Sequence, residues 1–163
     1  ILLGQIDKGA GQYVALGAAR GVAFEEVPYR EKALQAVAHF KELHPGAAFA
    51  VGEFMNGDPF EMALALVKYG FDVKAVYGTP GEENWNFISQ LSQLSPETKV
   101  YSNLDPSMIF YRPEDKIDFV IGKDAAYYNR NVPPVLWQTD VQPFGYAGVR
   151  LLFEELSEAG KGA

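Results

Sequence analysis

The sequence predicts an α/β fold: a Rossmann-like, doubly wound parallel sheet of about five strands with helices on both faces. Three observations predict it. Short apolar runs such as AAFAVGEF and DFVIG alternate with longer segments of helical period. Residues 49–77 read as one complete strand–helix–strand unit, its crossover long enough for parallel pairing. The last third, Asp118 to Leu156, repeats the alternation: a buried strand, a polar segment, a strand entered through two prolines, and a Gly-containing entrance to an amphipathic helix.

In chain order, residues 1–28 are rich in Gly and Ala and have poor periodicity. They fit a short strand plus a helix, or a segment packed against a further part of the protein. Tyr29 to Leu43 predicts a helix whose apolar stripe is Leu34, Val37, Ala38, Phe40 and Leu43, stopped by His44-Pro45-Gly46. Phe49 to Phe54 is the first strand. Asn56-Gly57-Asp58 is a turn, and Asp58 caps a helix that starts at Pro59 and ends at Gly70. Phe71 to Tyr77 is the second strand. Gly81 to Leu94 reads as a helix with Phe87, Ile88, Leu91 and Leu94 on one side, and Thr98 to Tyr101 as a short strand. Asp105-Pro106 opens a short helix that Tyr111-Arg112-Pro113 ends. Phe119 to Gly122 and Val135 to Trp137 are the fourth and fifth strands. Gly145 to Ala159 closes the fold, with Val149, Leu152, Phe153 and Leu156 toward the sheet.

The expected organisation is a Gly/Ala-rich segment with a packing helix (1–46) and a Rossmann-like α/β domain (47–163), together one compact domain. The opening residue is Ile1 rather than Met, which reads as a piece of a longer protein. Apolar residues make up 48% of the chain and aromatics 13%, enough for a substantial core. The net charge of -7 argues against unassisted nucleic-acid binding and against a polybasic membrane surface. No apolar run approaches the ~20 residues of a membrane span. Cysteine is absent, which removes disulfides, thiolate nucleophiles and Cys-ligated clusters from this chain. No signal peptide is visible, so a cytoplasmic location is the default expectation.

Several motifs fail on inspection. Gly52 and Gly57 stand at Walker-like separation, but no Gly-Lys-Ser/Thr follows. Gly9-Ala-Gly11 has Val14 where a dinucleotide fingerprint needs a small residue. His39 and His44 are the only histidines and sit on or beside one helix, so neither a metal site within this chain nor a Ser-His-Asp triad has support.

What remains is positional. In a parallel sheet the carboxyl ends of strands one, two, four and five share a rim. That rim carries Glu53, Asn56 and Asp58, then Tyr77 and Thr79, then Lys123 and Asp124, then Gln138 and Asp140. Asp58 also reads as a helix cap, Thr79 as a turn residue, and Lys123 and Asp124 as a solvated loop. Gly145 and Gly148 leave the first turn of the last helix bare, so its amides could meet an anionic group; Gly148 could equally let the helix lie tight on the sheet. Phe144 and Tyr146 read as core or interface aromatics as readily as ligand contacts.

The order DFVIG, VPPVLWQ, QPFGYAGVRLLFEEL resembles the C-terminal domain of nitrogenase component 1-type oxidoreductases. In that family a D-hydrophobic-hydrophobic-I-G strand, a proline-led strand and a G-Y-x-G helix start follow one another. GEFMNGDPFEMALALVKYGFDVKAVYGT is similar to the family's strand–helix–strand, and the resemblance covers roughly Ala47 to Leu156. It implies a Rossmann-like domain of a larger subunit that pairs with a homologous or identical subunit. It also implies a cavity for a metallocluster or tetrapyrrole, and electrons delivered by an ATP-dependent iron–sulfur reductase. No cofactor is expected to be bound by this chain alone. The cofactor-binding positions it points to are Gln138, Asp140, Gly145, Tyr146 and Gly148, with Glu53 and Asn56 on the rim. Nitrogenase itself has a cofactor-binding histidine shortly before the G-Y-x-G helix. Here the segment is Trp137-Gln138-Thr139-Asp140-Val141-Gln142, with Gln138 at the closest position. The departure implies a nitrogenase-like paralogue, or a subunit that does not hold the cofactor. Two other readings share this pattern: a flavodoxin-like module that binds a small ligand or a partner without catalysis, and a nucleotide-sugar half-domain.

Overall fold

The computed structural model describes residues 6–138, 140 and 144–161. Helices α1 (Ile6–Arg20) and α2 (Val27–Leu43) precede strand β1 (Ala48–Gly52). Then come α3 (Pro59–Lys68), β2 (Asp72–Tyr77), α4 (Trp85–Leu94), β3 (Lys99–Tyr101), β4 (Phe119–Ile121), α5 (Lys123–Tyr128), β5 (Pro134–Val135) and α6 (Gly145–Gly160). The five strands form one sheet in the order β3-β2-β1-β4-β5, and every pairing is parallel. This is the Rossmann order. The chain moves outward from β1 to β3, then returns to lay β4 on the other side of β1. The β1/β4 seam, registered Phe49 to Phe119 and Val51 to Ile121, is therefore the topological switch point.

Alternating side chains send the sheet's two faces into two cores. Phe49, Val51, Val73, Val76, Phe119 and Ile121 join the buried faces of α2, α3 and α6, with Leu91 of α4 and Ile6 of α1. Phe40 is the hub of this side. Its ring meets Phe49, Phe71, Phe119 and Phe153 at centroid distances of 5.9, 5.6, 4.9 and 5.4 Å. Ala50, Ala75, Tyr77 and Val120 face the other way, into a smaller core with Met108, Ile117 and Ala125. Right-handed crossovers account for this division: connections running one way along the sheet lie on one face, and the return to β4 lies on the other.

Local signals explain the ends. Asp58 accepts the Glu61 N–H at 2.7 Å, as an N-cap should, and Gly70 leaves α3 at φ 83°. Elsewhere tertiary contacts move the expected boundaries. Strand β1 stops at Gly52 instead of Phe54, because Phe54 takes φ 54° as the chain turns off the sheet. Strand β5 is Pro134–Val135 and does not reach Trp137, whose φ is 50°. The helix expected from Gly81 opens as a 3-10 turn at Glu82–Asn84 and becomes α-helical at Trp85. On α2 the buried line is Ala33, Val37 and Phe40, while Leu34, Ala38 and Leu43 face outward. The helix lies against α6, and small Ala33 permits that approach. The segment after β4 is the short helix α5, not a solvated loop. Residues 6–20 of the Gly/Ala-rich segment are helical.

Phe40→Ala should lower stability by about 3–5 kcal/mol, since a fully buried ring with four aromatic neighbours leaves a cavity that cannot collapse. Urea denaturation should show a lower midpoint at an unchanged slope.

Candidate functional site

At the switch point two backbones touch. Gly122 sits at φ 88°, and a Cβ on it would run into the Gly52 carbonyl. A Cβ on Gly52 would run into the backbone of Ala125 on α5. This closeness lets the Glu53 carbonyl accept N–H groups from Lys123 (3.1 Å) and Asp124 (3.4 Å), the opening residues of α5. The start of α5 is thus filled by a protein oxygen.

The start of α3 is filled as well. Asp58 accepts from Glu61 N–H with one oxygen and from the Asn84 side-chain amide with the other. Asn84 Oδ1 then accepts the Gly81 N–H at 2.7 Å. In a dinucleotide-binding Rossmann domain the pyrophosphate lies at the helix start after the first strand. Here a carboxylate already holds that place, so this rim is not built for a pyrophosphate.

A polar chain ties the strand ends together. Glu53 Oε1 accepts the Thr79 N–H at 2.8 Å, and the Thr79 and Ser102 hydroxyls are 3.1 Å apart. Asn103 Nδ2 donates to Asp124 at 2.6 Å, while its Oδ1 is buried with no partner among the described residues. Burial first, and then the nearby Glu53 charge, push the Asp124 carboxyl above its ordinary range. The hydrogen bond from Asn103 and the charge of Lys123 act against that rise. Chemically this is a carboxyl of raised proton affinity beside a second carboxylate, able to hold or release a proton at the strand ends.

Among the residues singled out from sequence, Glu53, Thr79, Lys123 and Asp124 meet at this seam. Asn56 is joined to the β5 end by its N–H to the Trp137 carbonyl at 2.9 Å. Tyr77 is fully buried, stacked against Tyr101 and Tyr128. Gln138 and Asp140 are exposed, on the connection to α6, in which Thr139 and residues 141–143 lie outside the described residues. Gly145 and Gly148 are buried. Gly145 has φ 60° and lies under the Tyr13 hydroxyl of α1. Tyr146 donates to Glu26 at 2.9 Å and stacks on Tyr13 at 5.1 Å. Burial, aided by the Glu26 bond, pushes the Tyr146 hydroxyl up to about 12. Tyr146 is therefore held by α1 and α2, whereas Glu53 is held by β2 and α5. Ser102, Asn103 and Asn84 were missed. Ser102 and Asn103 directly follow β3, so the strand-end rule applied to that strand finds them.

The sequence matches no protein-family model and no curated protein. No helix among the described residues is long and apolar enough to cross a membrane.

Gly122→Ala should cost about 3 kcal/mol or more, because the new methyl meets backbone at a left-handed φ. A soluble protein with unchanged urea midpoint would refute the contact. Asp124 carries a pH signature. A raised carboxyl binds its proton more tightly in the folded state, so its contribution to stability declines as pH rises from about 4 through the folded value. Asp124→Asn keeps an acceptor for Asn103 and removes that decline. Its melting temperature relative to wild type should climb as pH rises from about 4 and then level off once the folded carboxyl has ionised, by about 2–4 °C per kcal/mol recovered.

Proposed function

We propose that this chain is a domain of a nitrogenase component 1-like oxidoreductase subunit, forming part of the wall of a redox site and of a subunit interface. The supporting observation is where the quoted motifs fall. DFVIG becomes β4, VPPVLW contains its parallel neighbour β5, and G-Y-A-G opens α6. The β5–α6 connection, with Gln138 and Asp140 exposed, is then the segment facing the ligand. The Rossmann order also differs from the flavodoxin-like order, in which β1 lies between β2 and β3.

The residues present do not fit a metallocluster held by this chain. Cysteine is absent, and His44 is packed between Phe40 and Phe119, each 4.8 Å from its ring, at the far end of the sheet from Glu53. Among the described residues no group of three or more His, Asp or Glu side chains could hold a metal. The chain's contribution is therefore shape, hydrogen bonding and exclusion of water, and a cluster would be held by other parts of the complex. The filled starts of α3 and α5 agree with this division, since nucleotide binding then belongs to the ATP-dependent partner.

The test is anaerobic purification of the intact protein, with iron, acid-labile sulfide and visible absorbance measured. Iron and sulfide, or a bound tetrapyrrole, are expected. Gln138→Ala should shift the cofactor's spectrum without changing the melting temperature. A colourless, metal-free protein that takes up no tetrapyrrole would overturn the reading. It would favour a non-catalytic interaction module, for which the exposed Leu104, Ile109 and Phe110 on one short segment speak.

A further inference from the structure

Away from the switch point, α1, α2 and the start of α6 enclose a cavity of about 450 Å³. Its walls are aromatic and acidic: Tyr13, Phe24, Tyr29, Phe144 and Tyr146 are joined by Glu25 and Glu26. Tyr13 and Tyr146 stack into one wall, and Phe24 stands against Tyr13 at 6.1 Å with a 59° tilt, which makes a corner. Among the described residues Tyr29 and Phe144 pack on no other ring, and they are 62% and 53% exposed. Phe24 is 44% exposed. Large aromatics left this open are costly unless something covers them.

The charges select what that is. Glu26 uses one oxygen on the Tyr146 hydroxyl, and Glu25 has no partner among the described residues. Against these two carboxylates stand the Arg30 guanidinium, close enough to act on Tyr146, and the amides that open α6. Ring faces carry negative potential and attract cations that shed water easily, quaternary ammonium groups above all. Carboxylates beside the rings add to that field. An inorganic cation would be held too strongly by its own water to prefer such walls.

We propose that this cavity binds a quaternary or methylated ammonium group of a small organic cation. The Phe24, Tyr29 and Phe144 rings supply the faces, and Glu25 and Glu26 supply the counter-charge. The inference does not rest on the redox reading, although the cavity shares Tyr146 and Phe144 with the segment which that reading turns toward its ligand; the choline readout needs no cofactor and so separates the two.

The probe is choline, compared by calorimetry with 3,3-dimethylbutan-1-ol, which has the same shape without the charge. The intact protein should bind choline at least tenfold more tightly than its carbon analogue, a gap of about 1.4 kcal/mol. Tyr29→Leu keeps apolar contact but removes the ring, and Glu25→Gln removes a charge that has no partner among the described residues. Each should weaken choline binding by about fivefold or more at an unchanged melting temperature. Equal affinity for both probes would mean a merely apolar pocket and would overturn the proposal. So would the absence of choline binding, or binding indifferent to both substitutions.

Discussion

The contact on which this structure turns is the backbone approach of Gly52 to Gly122. Strands β1 and β4 are neighbours in the sheet yet far apart in sequence, and side chains would hold their ends apart. With no Cβ at either position, the turn after β4 drops onto the end of β1, and Ala125 reaches the backbone of Gly52. The Glu53 carbonyl then meets the opening amides of α5. That bond fixes where Glu53 leaves the sheet, and so lets its carboxylate take the Thr79 amide across β2. The polar chain through Thr79, Ser102, Asn103 and Asp124 is a consequence of this one close approach.

The two sheet faces solve burial differently. One is covered by four helices and filled with phenylalanine around Phe40. Among the described residues the other is covered by the six-residue α5 and by the return from β3 to β4, which holds the expected short helix as a 3-10 turn at Pro106–Ile109 capped by Asp105. Tyrosines supply the missing bulk: Tyr101 and Tyr128 stack on Tyr77, and Tyr111 meets Tyr101 and Tyr128 at tilted and edge-on angles, closing one cluster. A buried hydroxyl needs a partner, and Tyr77 and Tyr111 provide one for each other at 3.2 Å. Burial raises the proton affinity of Tyr77, Tyr111 and Tyr128, so these three hydroxyls stay neutral. It is a packing layer with its polar atoms turned on one another.

Sequence was most legible where local chemistry decides. The Asp58-Pro59 start and Gly70 end of α3 are written in cap and terminator residues, and the α6 stripe repeats over enough turns to be unambiguous. It failed where tertiary contact decides. KDAAYY is too short to show a period, so α5 was invisible. The Glu53-Phe54 pair continues the apolar run of β1, but contact with α5 turns the chain away. On α2, packing against α6 selects Ala33 over Leu34, which hydrophobicity alone would not. In the site, Glu53, Thr79 and Asp124 followed from strand ends. The bond from Tyr146 to Glu26 spans 120 residues and has no local signature.

This chain sets its own oxygens against helix starts, one of them a carboxylate. Asp58 meets the amides of α3, the Asn84 carbonyl closes the turn into α4, and the Glu53 carbonyl meets those of α5. At α6 no side chain caps the helix directly; Glu26 approaches it through the Tyr146 hydroxyl. The starts of α3 and α5 thus have a negative or polar answer from within the protein. Phosphate would have to displace a carboxylate that is tethered and already bonded. A Rossmann-like frame with its phosphate positions filled is better suited to shaping a cavity wall than to holding a nucleotide.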